Sequence, residues 1–205
     1  MPAMRTERPR RNFADEANRY DAKKERLVRC ARDLAERGDA SKVSVTDITT
    51  AMGITRGLFY YYFAGKEELN QSIVQTYLQD LIDNIDEESA LCDDRESTVY
   101  AIVRGIYGWL YDAEGNKRPM WHVLEETQTA DYAWMLACEA LAHAILQHGL
   151  LTKYGKTGES ALLSHARLVA TGILGECTWH PETSIDSICE AACASLRYRK
   201  RHTLA

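Results

Sequence analysis

The sequence predicts an all-α protein in which a three-helix unit is followed by a larger helical bundle. Apolar residues recur at intervals of three and four in nearly every segment, which is the period of an amphipathic helix. No run alternates apolar and polar residues between hairpin turns, as a half-buried strand would. With 205 residues, 45% of them hydrophobic, the chain can bury a substantial core.

The first periodic segment predicts a helix over 15–37 that ends at Gly38. Its buried face has five members: Leu27, Val28, Ala31, Leu34 and Ala35. Residues 1–14 are polar and rich in arginine, and we expect a flexible basic arm there. Its arginines could reach a minor groove of DNA, although most basic termini add only nonspecific attraction. They are Arg5, Arg8, Arg10 and Arg11.

Residues 44–63 predict two short helices joined by a tight turn, which is a helix-turn-helix. Ser44 and Asp47 have the spacing of a capping box at the start of the second helix. Gly53 permits the turn, and Thr55 can cap a third helix that runs to about Phe63. We expect the second helix to bury four apolar residues: Val45, Ile48, Ala51 and Met52.

A long fourth helix is predicted from Lys66 to about residue 88. Ile73, Tyr77 and Leu81 form one apolar stripe on it, and its position makes it the expected mechanical link between the two units. Breaks rich in glycine, asparagine or proline separate the later helices. These are predicted at 95–112, 118–128, 130–150, 159–179 and 184–200.

The third helix carries side chains suited to reading DNA. If its N-terminal end enters a major groove, Arg56 can contact guanine with two hydrogen bonds, worth about 1–3 kcal/mol of discrimination. Gly57 allows close approach of the backbone, and Leu58 can contact a thymine methyl. Tyr60 and Tyr61 can reach phosphates or bases.

Three other residues near this helix have separate roles. Lys66, at a helix N-terminus, can bind a phosphate. Phe59 and Phe63 lie on the opposite face and are predicted to be core. Three consecutive tyrosines span about 200° of a helix, so they cannot all face inward.

The runs 54–63 (ITRGLFYYYF) and 65–69 (GKEEL), with Thr46, Asp47, Ile48 and Gly53 upstream, resemble the DNA-binding motif of the TetR/AcrR family of transcriptional regulators. The resemblance covers about 21–81. It implies a DNA-binding domain at 15–66 and an effector-binding and dimerisation domain at 67–205. The implied DNA contacts are Thr46, Thr55, Arg56, Gly57, Leu58, Tyr60, Tyr61 and Lys66.

Three positions depart from the usual pattern of that family. Leu58 replaces a small or hydroxylated residue, Tyr62 replaces a frequent histidine, and Ala64 replaces a common lysine or arginine. Each change would alter operator choice or affinity and leave the fold intact.

The charge distribution agrees with an end-on contact with a polyanion. Residues 1–66 hold 14 Lys and Arg against 9 Asp and Glu, a net +5, whereas residues 67–205 hold 11 against 21, a net −10. A basic front and an acidic rear suit a protein that presents one end to DNA. A chance imbalance on a solvated surface would look similar.

Two further sites are expected in the C-terminal domain. The middle helices are rich in aromatic residues, which predicts a pocket for an apolar or aromatic effector. The expected lining is Tyr107, Trp109, Trp121, His122 and Trp134. By the resemblance, the last two helices form the homodimer interface. The expected contacts are the residues Ala166, Ala170, Leu174, Ile188 and Ala192.

Other functions have weaker support in the sequence. No nucleophile elbow, phosphate loop or zinc-protease motif is present, so we expect neither an enzyme nor a bound cofactor. Cys177, His180, Cys189 and Cys193 are too scattered to predict a metal site. The absence of an 18-residue apolar run and of a signal peptide predicts a cytoplasmic protein with reduced cysteines and no membrane contact.

These observations predict a homodimeric repressor that binds a palindromic operator in double-stranded DNA and is released by a small-molecule effector. An alternative stays open, in which the same fold has no effector and its acidic body binds another protein. The sequence leaves the operator, the effector and the regulated genes unidentified.

Overall fold

The computed structural model describes residues 13–151 and 158–196, with side chains from residue 20 onward. In these ranges the chain is helical apart from connecting segments and one isolated antiparallel bridge between Tyr111 and Lys117. The predicted all-α class is confirmed. The helices are α1 (Phe13–Arg37), α2 (Val45–Met52), α3 (Arg56–Tyr62), α4 (Lys66–Ser89), α5 (Arg95–Leu110), α6 (Met120–Glu126), α7 (Ala130–Gln147), α8 (Glu159–Trp179) and α9 (Ile185–Leu196).

Helices α1–α3 form the head of the molecule. The capping box of α2 is present, since Ser44 Oγ accepts from the Asp47 N–H at 3.2 Å and Asp47 Oδ2 accepts from the Ser44 N–H at 2.8 Å. Gly53 then adopts a φ of 63°, a left-handed conformation that suits glycine and turns the chain into α3. These local signals explain why two such short helices begin and end where the sequence predicted.

The predicted burial of Ala51 is wrong, because that residue is exposed. Helix α2 has only two turns, and it packs on α1 and α3 through Ile48 and Thr49. Thr49 can be buried because its hydroxyl donates to the carbonyl oxygen of Thr46 at 3.1 Å. Val45 and Met52 are half-buried at the edge of this contact.

Helices α4–α9 form the body. Helix α4 packs along α5, α5 packs on α8 and α9, and α7 packs on α8 and α4. The predicted stripe of Ile73, Tyr77 and Leu81 is buried. At Gly105 of α5 an added Cβ would lie 3.0 Å from the backbone of Ile85, so α4 and α5 approach each other closely there.

Several helices are shorter than predicted. Helix α5 ends at Leu110 because a turn with Gly115 at φ 83° closes the bridge that follows. Helix α7 ends before Gly149, which has a φ of 66°. The predicted arm, 1–14, lies mostly outside the described residues, as do 197–200 of the predicted last helix. The domain boundary at residue 66 stays a prediction.

The head contacts the body where α1 packs on α4 and α6. Arg32 of α1 forms an ion pair with Asp80 of α4 at 2.6 Å and donates to the Thr76 hydroxyl at 3.2 Å. Glu126 of α6 accepts a hydrogen bond from the main-chain N–H of Ser41 at 3.1 Å. Two helices of the body therefore contact the head through polar side chains.

Candidate nucleic-acid interface

Helix α3 has one face in the core and one face in solvent. Phe59, Tyr62 and Phe63 are buried, while Tyr60 and Tyr61 are 51% and 65% exposed. Thr55 Oγ1 accepts from the Leu58 N–H at 3.2 Å, which fixes the first turn of the helix. The predicted division of the aromatic run into core and surface residues agrees with this geometry.

The exposed face of α3 presents Arg56, Gly57 and Tyr60, with Thr46 of α2 also exposed. Arg56 forms no hydrogen bond or ion pair with any described residue, so its guanidinium is available to an external acceptor. Leu58 is half-buried and offers only part of its side chain. Whether these residues touch DNA stays a prediction.

Tyr61 is supported from the first helix. The ring of Tyr20 lies 5.5 Å from Tyr61 edge-on and 4.8 Å from Tyr62, so three tyrosines of two helices form one cluster. Such packing limits the orientations of the Tyr61 side chain before any ligand binds. Tyr20 was not among the residues predicted to be buried, although its position seven residues before Leu27 places it on the buried face of α1.

Lys66 has contacts that the sequence did not indicate. Its ammonium donates to the carbonyl oxygens of Ser41 at 3.0 Å and Ala40 at 3.4 Å, so it holds the α1–α2 loop. The Glu68 carboxylate accepts from the Ala64 N–H at 2.7 Å, and this bond lowers the pKa of Glu68. A phosphate at this helix end would lie beside Lys66 and also beside a carboxylate.

The five expected pocket residues are distributed over separate parts of the described body. Trp109 lines a cavity of about 270 Å³ between α1, α4 and α5, and Tyr107 lines a separate one of about 460 Å³ near Pro181. Trp121 and His122 line neither, and the His122 side chain is 58% exposed beside Glu126. The five residues therefore do not share either of these two cavities, and their contact with an effector stays a prediction.

Trp134 has a different partner. It stacks on Trp179 with ring centroids 4.6 Å apart, and Trp179 is 64% exposed. An exposed aromatic pair of this kind belongs to the surface between α7 and α8, and it lines neither of the two cavities.

The expected dimer residues are mostly buried within the protomer, and their place at an interface stays a prediction. Ala166, Ala170 and Leu174 are buried inside the protomer, so their side chains do not reach a partner directly. Ile188 and Ala192 are also buried, and they line a groove of about 400 Å³ between α8 and α9. The exposed residues along this groove are Leu168, Gly172, Glu176, Ala191 and Ser195.

The buried cysteines of this helix pair are poorly suited to thiolate chemistry. Burial raises the pKa of Cys177 to about 12 and that of Cys189 to about 12. Both thiols are therefore protonated near neutral pH and resist oxidation. In the described ranges, no three His, Cys, Asp or Glu side chains converge as they would around a metal ion. None of the helices in those ranges has the length and apolar character to cross a membrane.

Residues 27–73 match the family model described as bacterial regulatory proteins, tetR family. A stretch of 52 residues is 38% identical to the uncharacterized HTH-type transcriptional regulator YxbF of Bacillus subtilis (strain 168). That match spans 25% of this chain and only 14% of the length of YxbF. Sequence similarity is thus concentrated in the head and in the first part of α4.

Solved structures extend the likeness to most of the chain. A TetR-family transcriptional regulator from Pectobacterium atrosepticum has a TM-score of 0.57, with 14% identity, over 87% of this chain and 92% of its own. Thermus thermophilus FadR, a TetR family transcriptional repressor in complex with lauroyl-CoA, has a TM-score of 0.52, with 17% identity, over 89% and 99%. At such identities the likeness shows a shared fold alone.

Proposed function

We propose that this chain is a regulator of the tetR family, whose family model matches residues 27–73, and that it is a homodimeric repressor released from its operator by a small-molecule effector. The observation that carries this proposal is the exposed face of α3. Arg56 and Tyr60 face solvent there, while Phe59 and Phe63 anchor the helix from behind. A rigid short helix with an unpaired arginine at its N-terminal end fits a major groove.

The proposed role also needs two heads at a fixed separation. A two-fold dimer places two reading helices about 34–36 Å apart, which matches successive major grooves and a palindromic operator. The groove between α8 and α9 is the surface that we assign to this dimer. Its walls are apolar or small at Leu168, Gly172 and Ala191, and an added Cβ at Gly172 would meet nothing within 4 Å. A helix of a second copy can approach there closely.

Release by an effector requires that the body control the head. The junction supplies contacts for this, since Arg32 binds Asp80 of α4 and Ser41 binds Glu126 of α6. A ligand that moves α4 would shift the first contact, and a ligand that moves α6 would shift the second. The coupling free energy between two such sites is typically about 1–3 kcal/mol. The acyl-CoA complex of Thermus thermophilus FadR is consistent with a small-molecule effector for this fold. We place the protein in the cytoplasm, with its operator, and assign it no catalytic step.

An alternative role is a DNA-bound factor whose body binds another protein and no effector. The exposed Trp179, stacked on Trp134, favours this alternative because large exposed aromatic groups are frequent at protein interfaces. Saturable binding of a small molecule with a change in operator affinity would distinguish the effector role from this one.

The reading helix is tested by selecting operator sequences from a random DNA library with the native protein and with variants. Arg56→Ala should relax selection at one base step of each half-site. Lys66→Ala should weaken binding to all sequences and flatten its salt dependence, because it removes one phosphate contact. Arg37→Ala, which removes a basic residue at the C-terminal end of α1, is the matched control. It should change neither the base preference nor the salt dependence of binding. An unchanged preference in Arg56→Ala would contradict the assignment.

The dimer surface is tested separately by sedimentation. Leu168→Asp places a charge in the α8–α9 groove and should shift the protein toward monomer. Leu91→Asp is the control, since Leu91 is 91% exposed and lies in the α4–α5 connection. Equal dimerisation of the two variants would show that the groove is not the interface.

A further inference from the structure

The cavity between α1, α4 and α5 contains a polar group that its surroundings leave without a partner. Tyr77 is 1% exposed, and its hydroxyl has no hydrogen-bond partner among the described residues. Burial and the nearby Glu36 carboxylate raise the pKa of this hydroxyl. Glu36, Arg32 and Asp80 all line the same cavity. A buried hydroxyl without a partner costs free energy, so a guest that displaces Arg32 from the Tyr77 ring and bonds to this hydroxyl is favoured.

The charged groups around the cavity favour a cation. Its two arginines are already engaged: Arg32 binds Glu36 and Asp80, and Arg118 donates to the carbonyl oxygens of Gly108 and Tyr111. Of the three carboxylates that line the cavity, those of Glu36 and Asp80 pair with Arg32, which leaves the carboxylate of Asp83 and a net charge of −1. Asp83 accepts one hydrogen bond, from Gln79, on Oδ1, and forms no ion pair with a described residue. A neutral or anionic guest would leave this excess of negative charge unpaired.

The aromatic residues that line the cavity also favour a cation. Tyr77 and Trp109 both line the cavity, and the guanidinium of Arg32 already lies over the Tyr77 ring, 4.3 Å from its centroid. The site therefore holds one cation on an aromatic face beside carboxylates, a combination that attracts flat or compact organic cations. At about 270 Å³ the cavity has room for a molecule of roughly ten non-hydrogen atoms, near the small end of protein pockets.

We propose that this cavity binds a small organic cation, an amidinium, guanidinium or ammonium on a compact body, which competes with Arg32 for the carboxylates of α4. Arg32 is the residue through which α1 holds Asp80, Thr76 and the Tyr77 ring. A bound cation that takes Asp80 weakens the attachment of the head to α4. The regulatory consequence rests on the proposed function, whereas the binding itself does not.

Benzamidine is a suitable probe, because its neutral isostere benzamide has nearly the same shape. Calorimetric titration of the full-length protein without DNA should show saturable binding of one benzamidine per protomer. Benzamide should bind at least about tenfold more weakly, since it cannot pair with a carboxylate. Equal affinity for the two compounds, or no saturable binding, would overturn the proposal and leave a cavity that holds water.

Three variants locate the site. Asp83→Asn and Tyr77→Phe should each weaken benzamidine binding by about tenfold. Arg32→Gln should strengthen it, because the competing guanidinium is gone. Asp93→Asn, an exposed residue of the α4–α5 connection, is the control and should change nothing. Thermal unfolding of each variant shows that it is folded, and Asp83 is far enough from the core that its variant tests the site without a stability effect.

The sign of the change in benzamidine affinity caused by Arg32→Gln distinguishes best between the possible modes of binding. A ligand bound elsewhere would be indifferent to Arg32, and a ligand that needs Arg32 as an anion partner would bind more weakly after its removal. Either result would contradict the proposed competition. Since no DNA is present in these titrations, failure of operator binding would leave their interpretation unchanged.

Discussion

The head and the body of this molecule are stabilised in different ways. In the head, two helices of eight and seven residues depend on side-chain caps at Ser44 and Thr55 and on the aromatic residues of α3. In the body, helices of up to 24 residues pack along their length, and α4 and α5 approach closely at Gly105. The stability of the head thus depends on single side chains, whereas the stability of the body depends on how closely the helix backbones approach each other.

This difference suits the two proposed tasks. A reading helix must keep its orientation while most of its residues face solvent, so a few anchors carry its stability. A body that transmits a ligand signal must move as packed helices, because close-packed interiors do not deform continuously. Four substitutions, two of them paired with a matched second variant, test the comparison between the head and the body.

Phe59→Ala should have the largest effect, since it removes a fully buried ring from the small core of the head. We expect a loss of about 3–5 kcal/mol in the free energy of unfolding. The neighbouring Tyr60→Ala is half exposed and should cost about 0.5 kcal/mol or less, while it weakens DNA binding. Urea unfolding of both variants provides the measurement. Similar losses would show that α3 is not anchored on one face.

Gly105→Val tests the body. The added side chain would meet the backbone of Ile85, which is 3.0 Å from an ideal Cβ, so α4 and α5 must separate. A loss of about 1–3 kcal/mol is expected from overpacking. Gly108→Ala, on the same helix, is the control, because an added Cβ there would have only the ordinary contact with Asn84 Nδ2 at 3.9 Å, and it should gain up to about 1 kcal/mol from helix propensity. A neutral Gly105→Val would refute the close approach of the two helices.

Ser44→Ala removes the cap of α2 and should cost about 1 kcal/mol. The main-chain N–H of Asp47 loses its acceptor at 3.2 Å, and the partner bond from Ser44 N–H to Asp47 Oδ2 remains. Amide hydrogen exchange should accelerate in α2 and α3 and stay unchanged in α8. Uniform acceleration throughout the protein would mean that the head and the body unfold together.

The smallest effect is a pH dependence of the head. Hydrogen bonds from Ser44 lower the pKa of Asp47 from its ordinary value of 3.8. Because the folded pKa is depressed, this carboxylate stabilises the fold above about pH 4, and the contribution is lost as pH falls through the folded pKa. Asp47→Asn should therefore lose less stability between pH 5 and pH 2 than the native protein. Urea midpoints against pH measure this, and parallel curves would contradict it.

The sequence predicted the head in detail because its signals are local. The capping box, the turn at Gly53 and the separation of Phe59 from Tyr60 all involve residues within five positions of each other. Contacts between distant segments were not predictable in the same way. The pairs Arg32–Asp80 and Ser41–Glu126 depend on which helices become neighbours. Nothing in the sequence around one residue of a pair indicates which residue is its partner.

The expected pocket and dimer residues show a common limit of sequence patterns in the body. Ala166 and Ala170 are small enough for a dimer interface, but small residues serve equally well where helices pack within one chain. Likewise, the sequence shows that Trp109 and Trp134 are large aromatic residues in predicted helices. It does not show which cavity or surface each of them contacts. Helical periodicity identifies a face, and only the assembled bundle shows what covers it.

The hydrogen bond from Ser41 to Glu126 has a consequence for how such proteins can be recombined. Glu126 recognises a main-chain N–H, which every residue except proline provides at position 41. The loop can therefore change its side chain freely while the contact persists. A chimera that joins this head to the body of a relative keeps this contact if the relative has a carboxylate at the end of its sixth helix, whereas the contact of Arg32 also requires an acidic residue at the position of Asp80.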